Sequence, residues 1–165
     1  MGVPRRKAQT PPQSPRQNPQ ASSPRPQIEL DRSDDEVYSS TTAVVRSVMT
    51  MSKEITVNKQ AEYLDLVKSV GTELRNQLAS VDKVILTLPS ESHNDIEMAH
   101  KVLSSDMNEL ITAMKQAHKY SRTTLSDEAR KGMLKAAHAL AMDAKHLLDA
   151  VDAGRIMLIS VQQVT

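Results

Sequence analysis

Two carboxylate-histidine pairs are the residues of this chain whose types and spacing could hold metal ions. Glu97 precedes His100, and Asp143 precedes His146, each by three positions. Helical bundles that bind two iron or manganese ions use such a pair from each of two helices and an inward Glu from each of the other two. Glu97 lies about 100° from the inward Ile96 on a helical wheel, so it points outward. The first two helices also offer no inward Glu, and a di-metal carboxylate enzyme is therefore only a remote alternative.

Other catalytic chemistry finds no support in the sequence. There is no cysteine to act as a nucleophile or thiolate ligand. No glycine-rich phosphate loop and no serine or threonine in a nucleophile elbow occurs. The histidines include no pair four residues apart, and they are His93, His100, His118, His138 and His146. The sequence therefore predicts a non-catalytic chain without metal or cofactor.

The distribution of proline divides the chain into two parts. Seven of the eight prolines lie in the first 26 residues, and only Pro89 follows. Proline breaks helix interiors, so the rest of the chain is free to form long helices. Phe and Trp are absent and glycine is rare, which disfavours strands and tight hairpins. We expect an all-α body over residues 31–160 after a disordered, proline-rich basic linker over residues 1–30.

The net charge of +1 conceals an asymmetry between these two parts. Residues 1–30 carry five cations and one anion, so the linker is +4 and the body −3. A mildly acidic body argues against a nucleic-acid-binding domain. No apolar run is long enough to cross a membrane, and no signal peptide is recognisable. These features predict a cytoplasmic, monomeric protein that neither binds nucleic acid nor inserts into a membrane.

Apolar periodicity and capping residues predict four helices, at about residues 33–57, 59–88, 92–122 and 126–158. Ser33 opens a capping box with Glu36 three positions later. Asn58 offers a cap for the second helix, Ser90 or Ser92 for the third and Ser126 for the fourth. Short connections force antiparallel neighbours, so we predict an antiparallel up-down-up-down four-helix bundle.

Beside the inward apolar stripe, each helix carries an offset apolar row next to basic residues. These rows predict two grooves, and Gly71 deepens the second because it has no side chain. The groove between helices 1 and 4 comprises Tyr38, Val45, Met49, Leu134, Ala141, Lys145 and Leu148. The groove between helices 2 and 3 comprises Lys68, Gly71, Arg75, Leu78, Met107, Ile111 and Lys115. Such grooves suit an amphipathic acidic helix, although a wide apolar stripe with solvated lysines is also ordinary for a bundle helix.

Several segments resemble one family of adhesion modules. They are LDRSDD at residues 30–35, VKSVG at 67–71, ELI at 109–111 and AAHALA at 136–141. Together with their surroundings, over residues 29–156, they resemble the focal adhesion targeting domain at the C-terminus of focal adhesion kinases. The likeness is strongest in the fourth helix. A related targeting bundle of another adhesion scaffold is the alternative within the same class.

The resemblance implies a partner class and a location. Family members bind the leucine- and aspartate-rich LD helices of paxillin-type adaptors in two grooves and place a non-receptor tyrosine kinase at focal adhesions during integrin signalling. By position, Met49 stands where the family has an isoleucine in the first groove, beside Lys145. The residues that match in the second groove are Lys68, Arg75, Ile111 and Lys115.

The resemblance also implies that Tyr38 is a phosphorylation site that recruits an adaptor. That adaptor needs an asparagine two residues later, where this chain has Ser40. Phosphotyrosine-reading adaptors are therefore expected to bind weakly. Polyproline-reading adaptors are also expected to bind weakly, because the PxxP unit from Pro12 to Pro15 has no Arg or Lys at the usual flanking position on either side.

Overall fold

The computed structural model describes residues 29–57 and 62–164, and four helices make up its regular structure. They are α1 (Glu36–Val57), α2 (Tyr63–Ile85), α3 (Ser90–Lys119) and α4 (Ser126–Val164). No strand occurs in these two ranges. The predicted cap at Asn58, the PxxP unit and most of the predicted linker lie outside the described residues.

The four helices form a closed ring. Each helix packs against the next one along the chain, α4 packs against α1, and α2 also touches α4 across the diagonal. The predicted all-α four-helix bundle is thus confirmed. Among the described residues, the apolar part of its core consists of aliphatic side chains and methionine. The fully buried large ones include Met51, Ile55, Ile96, Leu103, Leu110, Met133, Leu140 and Leu147.

Several helix ends differ from the prediction. The second helix ends at Ile85 rather than 88, because residues 86–88 turn toward Pro89. The third begins at Ser90 and ends at Lys119 rather than 122, and the fourth continues to Val164 rather than 158. Neither Ser90 nor Ser92 caps α3. Pro89 occupies the N-cap position, and the Ser92 hydroxyl donates to the Pro89 carbonyl at 2.6 Å.

The capping box predicted at Ser33 is also wrong, because α1 begins three residues later. Asp35 caps it instead, and its Oδ1 accepts the Tyr38 backbone N–H at 3.0 Å. Ser33 turns back and donates its N–H and hydroxyl to Asp31 Oδ1 at 2.9 and 2.7 Å. Asp35 is the stronger cap because a carboxylate also complements the positive end of the helix dipole.

Asp35 belongs to a square of four charged groups that joins the start of α1 to α4; we call it the α1–α4 clamp. Arg155 donates to both Asp35 oxygens at 2.8 and 2.9 Å. Arg32 donates to Asp35 at 2.7 Å and to Asp152 at 3.1 and 2.7 Å. Arg155 also donates to Asp152 at 3.1 Å. Two arginines and two aspartates thus neutralise each other at one end of the bundle.

The clamp holds Asp35 in its ionised form. Burial alone would raise the pKa of this carboxyl, whose side chain is only 3% exposed. Hydrogen bonds from Arg155, Arg32 and the Tyr38 N–H outweigh the burial and lower the pKa below its ordinary value. A carboxylate with a lowered folded pKa stabilises the folded state above about pH 4, and this contribution is lost as the pH falls through the folded pKa.

Replacing Arg155 by Gln should destabilise the bundle by about 1–3 kcal/mol at pH 7, since the substitution removes a charged, bidentate donor from a buried carboxylate. The difference from wild type should shrink as the pH falls through the lowered pKa of Asp35 and this carboxyl takes up a proton. Urea unfolding followed by circular dichroism at several pH values measures both effects.

Lys131→Gln is the matched control, because Lys131 on the same helix pairs with Glu128 at 3.7 Å while both side chains are well exposed. Exposed pairs contribute little, and we expect a change of no more than about 0.5 kcal/mol. Equal effects of the two substitutions would show that the clamp is merely another surface pair.

Gln77 is a polar side chain in the core that the apolar pattern did not reveal. It is fully buried on α2, where Nε2 donates to Thr41 Oγ1 at 2.8 Å and to the Ala144 carbonyl at 2.9 Å. Its Oε1 finds no hydrogen-bond partner in the described part of the chain. One amide thereby connects α1, α2 and α4, and it accounts for part of the diagonal contact between α2 and α4.

Two glycines of α4 have opposite surroundings. A Cβ on Gly132 would meet nothing within 4 Å. A Cβ on Gly154 would lie 2.9 Å from Ser92 Oγ and 3.0 Å from Ser92 Cβ. Ser92 is itself buried and bonded to Pro89, so it has little freedom to move. Gly154 therefore allows α4 to approach the first turn of α3.

We expect Gly132→Ala to stabilise the protein by up to about 1 kcal/mol, because alanine is the better helix former and meets no obstacle. Gly154→Ala should destabilise it by about 1–3 kcal/mol, because the added methyl group overpacks the contact with Ser92. Thermal unfolding of the two variants gives the comparison. Stabilisation by both alanines would contradict the close approach at Gly154.

Candidate partner-binding grooves

A cleft of about 520 Å³ runs between α2 and α3. Six of the seven residues predicted for this groove line it, and the seventh, Leu78, does not. Leu78 lies two turns beyond Gly71, past the end of the cleft, and is half-buried against the core. The complete lining is Leu64, Val67, Lys68, Gly71, Thr72, Arg75, Met107, Ile111, Met114 and Lys115.

The floor of this cleft is apolar and its rim is basic. Met107 and Ile111 are half-buried on α3, so part of each side chain remains open to solvent. Gly71 lets the floor lie low, since a Cβ there would come within 3.2 Å of Met107 Cε. Three exposed cations border the floor, and they come from both walls: Lys68, Arg75 and Lys115. No acidic side chain of the described residues lines this cleft.

Four further residues line the cleft: Leu64 belongs to the offset apolar row of the second helix, and the other three were not expected in the groove. Val67 and Met114 fit the inward stripes of their helices, and Thr72 had no pattern to mark it. Val67 is indeed buried, but it also forms the bottom of the cleft. Periodicity assigns one direction to each position, so it does not reveal side chains that serve both the core and the groove wall.

The second groove is predicted on the face that α1 and α4 share. Two contacts fix the register of these antiparallel helices: the clamp between Asp35 and Arg155 at one end, and Ser52 Oγ with His138 Nε2 at 3.1 Å at the other. This register places Met49 opposite Ala141 and Lys145 one turn away. Met49 is 65% exposed.

The remaining predicted residues of this face differ in exposure. Leu134, Ala141 and Leu148 are half-buried and pack against the core, and Val45 is also half-buried. Lys145 is exposed. Tyr38 is 41% exposed in the first turn of α1, and the Arg32 guanidinium lies 4.6 Å from the centre of its ring. The seven residues thus form a partly apolar strip along the two helices.

The carboxylate-histidine pairs do not assemble into a metal site. His146 Nδ1 lies 3.3 Å from Asp143 Oδ1 on α4, whereas Glu97 and His100 border a separate depression between α2 and α3. Within the two described ranges, no three His, Cys, Asp or Glu residues are grouped closely enough to hold a metal ion.

Comparison with protein families identifies the class of this bundle. None of the helices described above is both long and apolar enough to pass through a bilayer. The family model of the focal adhesion targeting region matches residues 25–164, a range that includes all four helices. This chain therefore belongs to the focal adhesion targeting family, whose members are non-catalytic modules that direct proteins to focal adhesions.

Proposed function

We propose that this bundle binds amphipathic LD helices of paxillin-type adaptors and thereby holds a non-receptor tyrosine kinase at focal adhesions. The observation that carries the proposal is the α2/α3 cleft, whose apolar floor is bordered by cations on both walls and by no anion of the described chain segments. An LD helix has the complementary pattern, because its leucines form one face and its aspartates flank that face.

The two parts of the cleft have different tasks in this proposal. Burial of leucine side chains against Met107, Ile111 and Gly71 supplies most of the affinity, at about 25 cal/mol per Å² of apolar surface removed from water. The rim cations contribute less energy, since exposed ion pairs are worth about 0–1 kcal/mol each. They select acidic helices and speed association, and they reject basic helices.

The strip on α1 and α4 is the second proposed site. Met49 offers an exposed, flexible thioether that can fit between the leucines of a partner helix. Lys145 lies one helical turn from Ala141, the residue opposite Met49. It supplies a cation beside the apolar strip, as Lys68, Arg75 and Lys115 do at the rim of the first cleft. Two sites on opposite sides of the bundle allow one adaptor with two LD segments to bind by both, which raises avidity without any new contact.

Tyr38 is the proposed phosphorylation site of the module. Its ring is partly exposed at the start of α1, and acidic residues precede it in the sequence. Ser40 stands where the family's adaptor requires asparagine, so the phosphorylated tyrosine should recruit that adaptor poorly.

Ile111→Glu should weaken LD-helix binding to the α2/α3 cleft at least about tenfold, because it places a carboxylate in the apolar floor among leucines. Binding at α1/α4 should be unchanged. Titration with a synthetic LD peptide, followed by backbone amide shifts, reports on the two sites separately.

Met98→Glu provides the control, since Met98 is a 58% exposed apolar residue of the same helix that does not line the cleft. It should bind the peptide as wild type does. Amide shifts confined to neither groove, or equal loss in both variants, would reject the proposed sites.

A Met49→Glu and Ile111→Glu double variant should fail to concentrate at focal adhesions, because both proposed sites are then blocked. Fluorescent fusions expressed in adherent cells give the measurement, and circular dichroism checks that the helices persist. Undiminished accumulation of a folded double variant would separate adhesion targeting from these grooves.

A further inference from the structure

Two aspartates face each other across the α3/α4 interface, on a part of the bundle that neither groove uses. Asp106 of α3 and Asp143 of α4 are both half-buried. Their carboxyl groups lie within hydrogen-bonding range, although two carboxylates have no proton to form the bond. Asp106 Oδ2 is buried and has no hydrogen-bond partner within the described residues.

The charges around this pair do not neutralise it. Glu109, one turn along α3, adds a third negative charge. His146 Nδ1 contacts Asp143 Oδ1 at 3.3 Å but is 62% exposed and does not contact Asp106. Lys135 of α4 borders the same depression as Glu109 and pairs with neither aspartate. Across residues 29–57 and 62–164, no charged group of α1 or α2 forms an ion pair with Asp106 or Asp143.

A single shared proton would resolve this arrangement. A protonated carboxyl donates to its ionised neighbour, which satisfies the orphaned oxygen and removes the repulsion between like charges. Burial, followed by the hydrogen bond and charge of Asp143 and the charge of Glu109, raises the pKa of Asp106 to about 7. The orphaned Asp106 oxygen and the raised pKa of this carboxyl therefore lead to the same conclusion.

We propose that Asp106 and Asp143 share one proton across the α3/α4 interface, and that loss of this proton as the pH rises into the neutral range loosens the contact between the two helices. The proposal goes beyond adaptor binding, because it concerns the stability of the bundle itself. It assigns to this interface a regulatory response to pH.

The direction of the effect follows from linkage. An aspartate of the unfolded chain loses its proton near pH 4, whereas the folded pair retains one to about pH 7. Between these values the folded state binds more protons than the unfolded state, so stability falls as the pH rises. Above about pH 7 both states have lost the proton, and the loss of stability is complete.

The pair is also placed to transmit this change to the grooves. Met107, the neighbour of Asp106 in sequence, lines the α2/α3 cleft. Lys145 lies two residues beyond Asp143 and belongs to the α1/α4 strip. One wall of the α2/α3 cleft is therefore formed by α3, and one side of the α1/α4 strip by α4. These are the two helices that meet at the pair of aspartates.

The test compares wild type with Asp106→Asn, in which an amide mimics the protonated carboxyl. Urea unfolding is measured from pH 5 to pH 8. A single proton changes the unfolding equilibrium constant by at most about tenfold per pH unit. We compare the unfolding equilibrium constant of wild type with that of Asp106→Asn at each pH. The ratio of wild type to variant should rise by about threefold or more per pH unit between pH 5 and pH 7.

Two further variants identify the groups responsible. Asp149→Asn removes an exposed aspartate of α4 and should preserve the wild-type pH profile. His146→Gln should also keep most of the pH dependence of the unfolding equilibrium constant. If the pH dependence disappears in this variant, the response belongs to the histidine and the proposal is overturned. Equal pH profiles of wild type and Asp106→Asn would overturn it as well.

Carbon-13 shifts of the aspartate carboxyls in the wild-type protein provide a measurement that does not depend on any variant folding. The shared proton predicts that one carboxyl of the pair titrates near neutral pH. Titration of both Asp106 and Asp143 near pH 4 would reject the proposal, whether or not LD helices bind.

Discussion

Closure of the helical ring depends on the contact between the first and last helices, which are farthest apart in sequence. The clamp provides this contact at one end of the bundle, where two arginines surround the buried Asp35. The same carboxylate caps α1, so the start of the helix and its attachment to α4 depend on one side chain. The register set here determines which residues of α1 and α4 share the outer face.

The composition of the core shapes the surfaces that matter for function. Without large aromatic side chains, the interior is filled by aliphatic residues, alanine and methionine. Residues such as Val67 and Met107 then serve two roles, since they pack inward and also line the cleft. The proposed binding surface is therefore an exposed part of the core. A substitution that alters binding there also risks altering stability, which is why matched exposed controls are needed.

The bundle itself could be predicted because long apolar periodicity without proline leaves few alternatives. Six residues of the α2/α3 cleft also followed from an offset apolar row beside cations. The cap at Asp35 was missed because Ser33 and Glu36 have the spacing of a capping box. Arg155, one of the two arginines that favour Asp35, lies 120 residues away in the sequence, so no local pattern reveals it. Gln77 and the pair of Asp106 and Asp143 depend on contacts between helices, about which the periodicity of a single helix says nothing.

Gln77 constrains how the helices can slide past one another. Apolar side chains tolerate many alignments, because one methyl group replaces another at little cost. The Gln77 amide can donate to its two acceptors, one on α1 and one on α4, in only one alignment of the helices. A shift of α1 by one turn would carry Thr41 about 5.4 Å away and break that bond inside the core. The hydrogen bonds of this one amide therefore fix the axial register of three of the four helices, which apolar packing alone would specify less strictly.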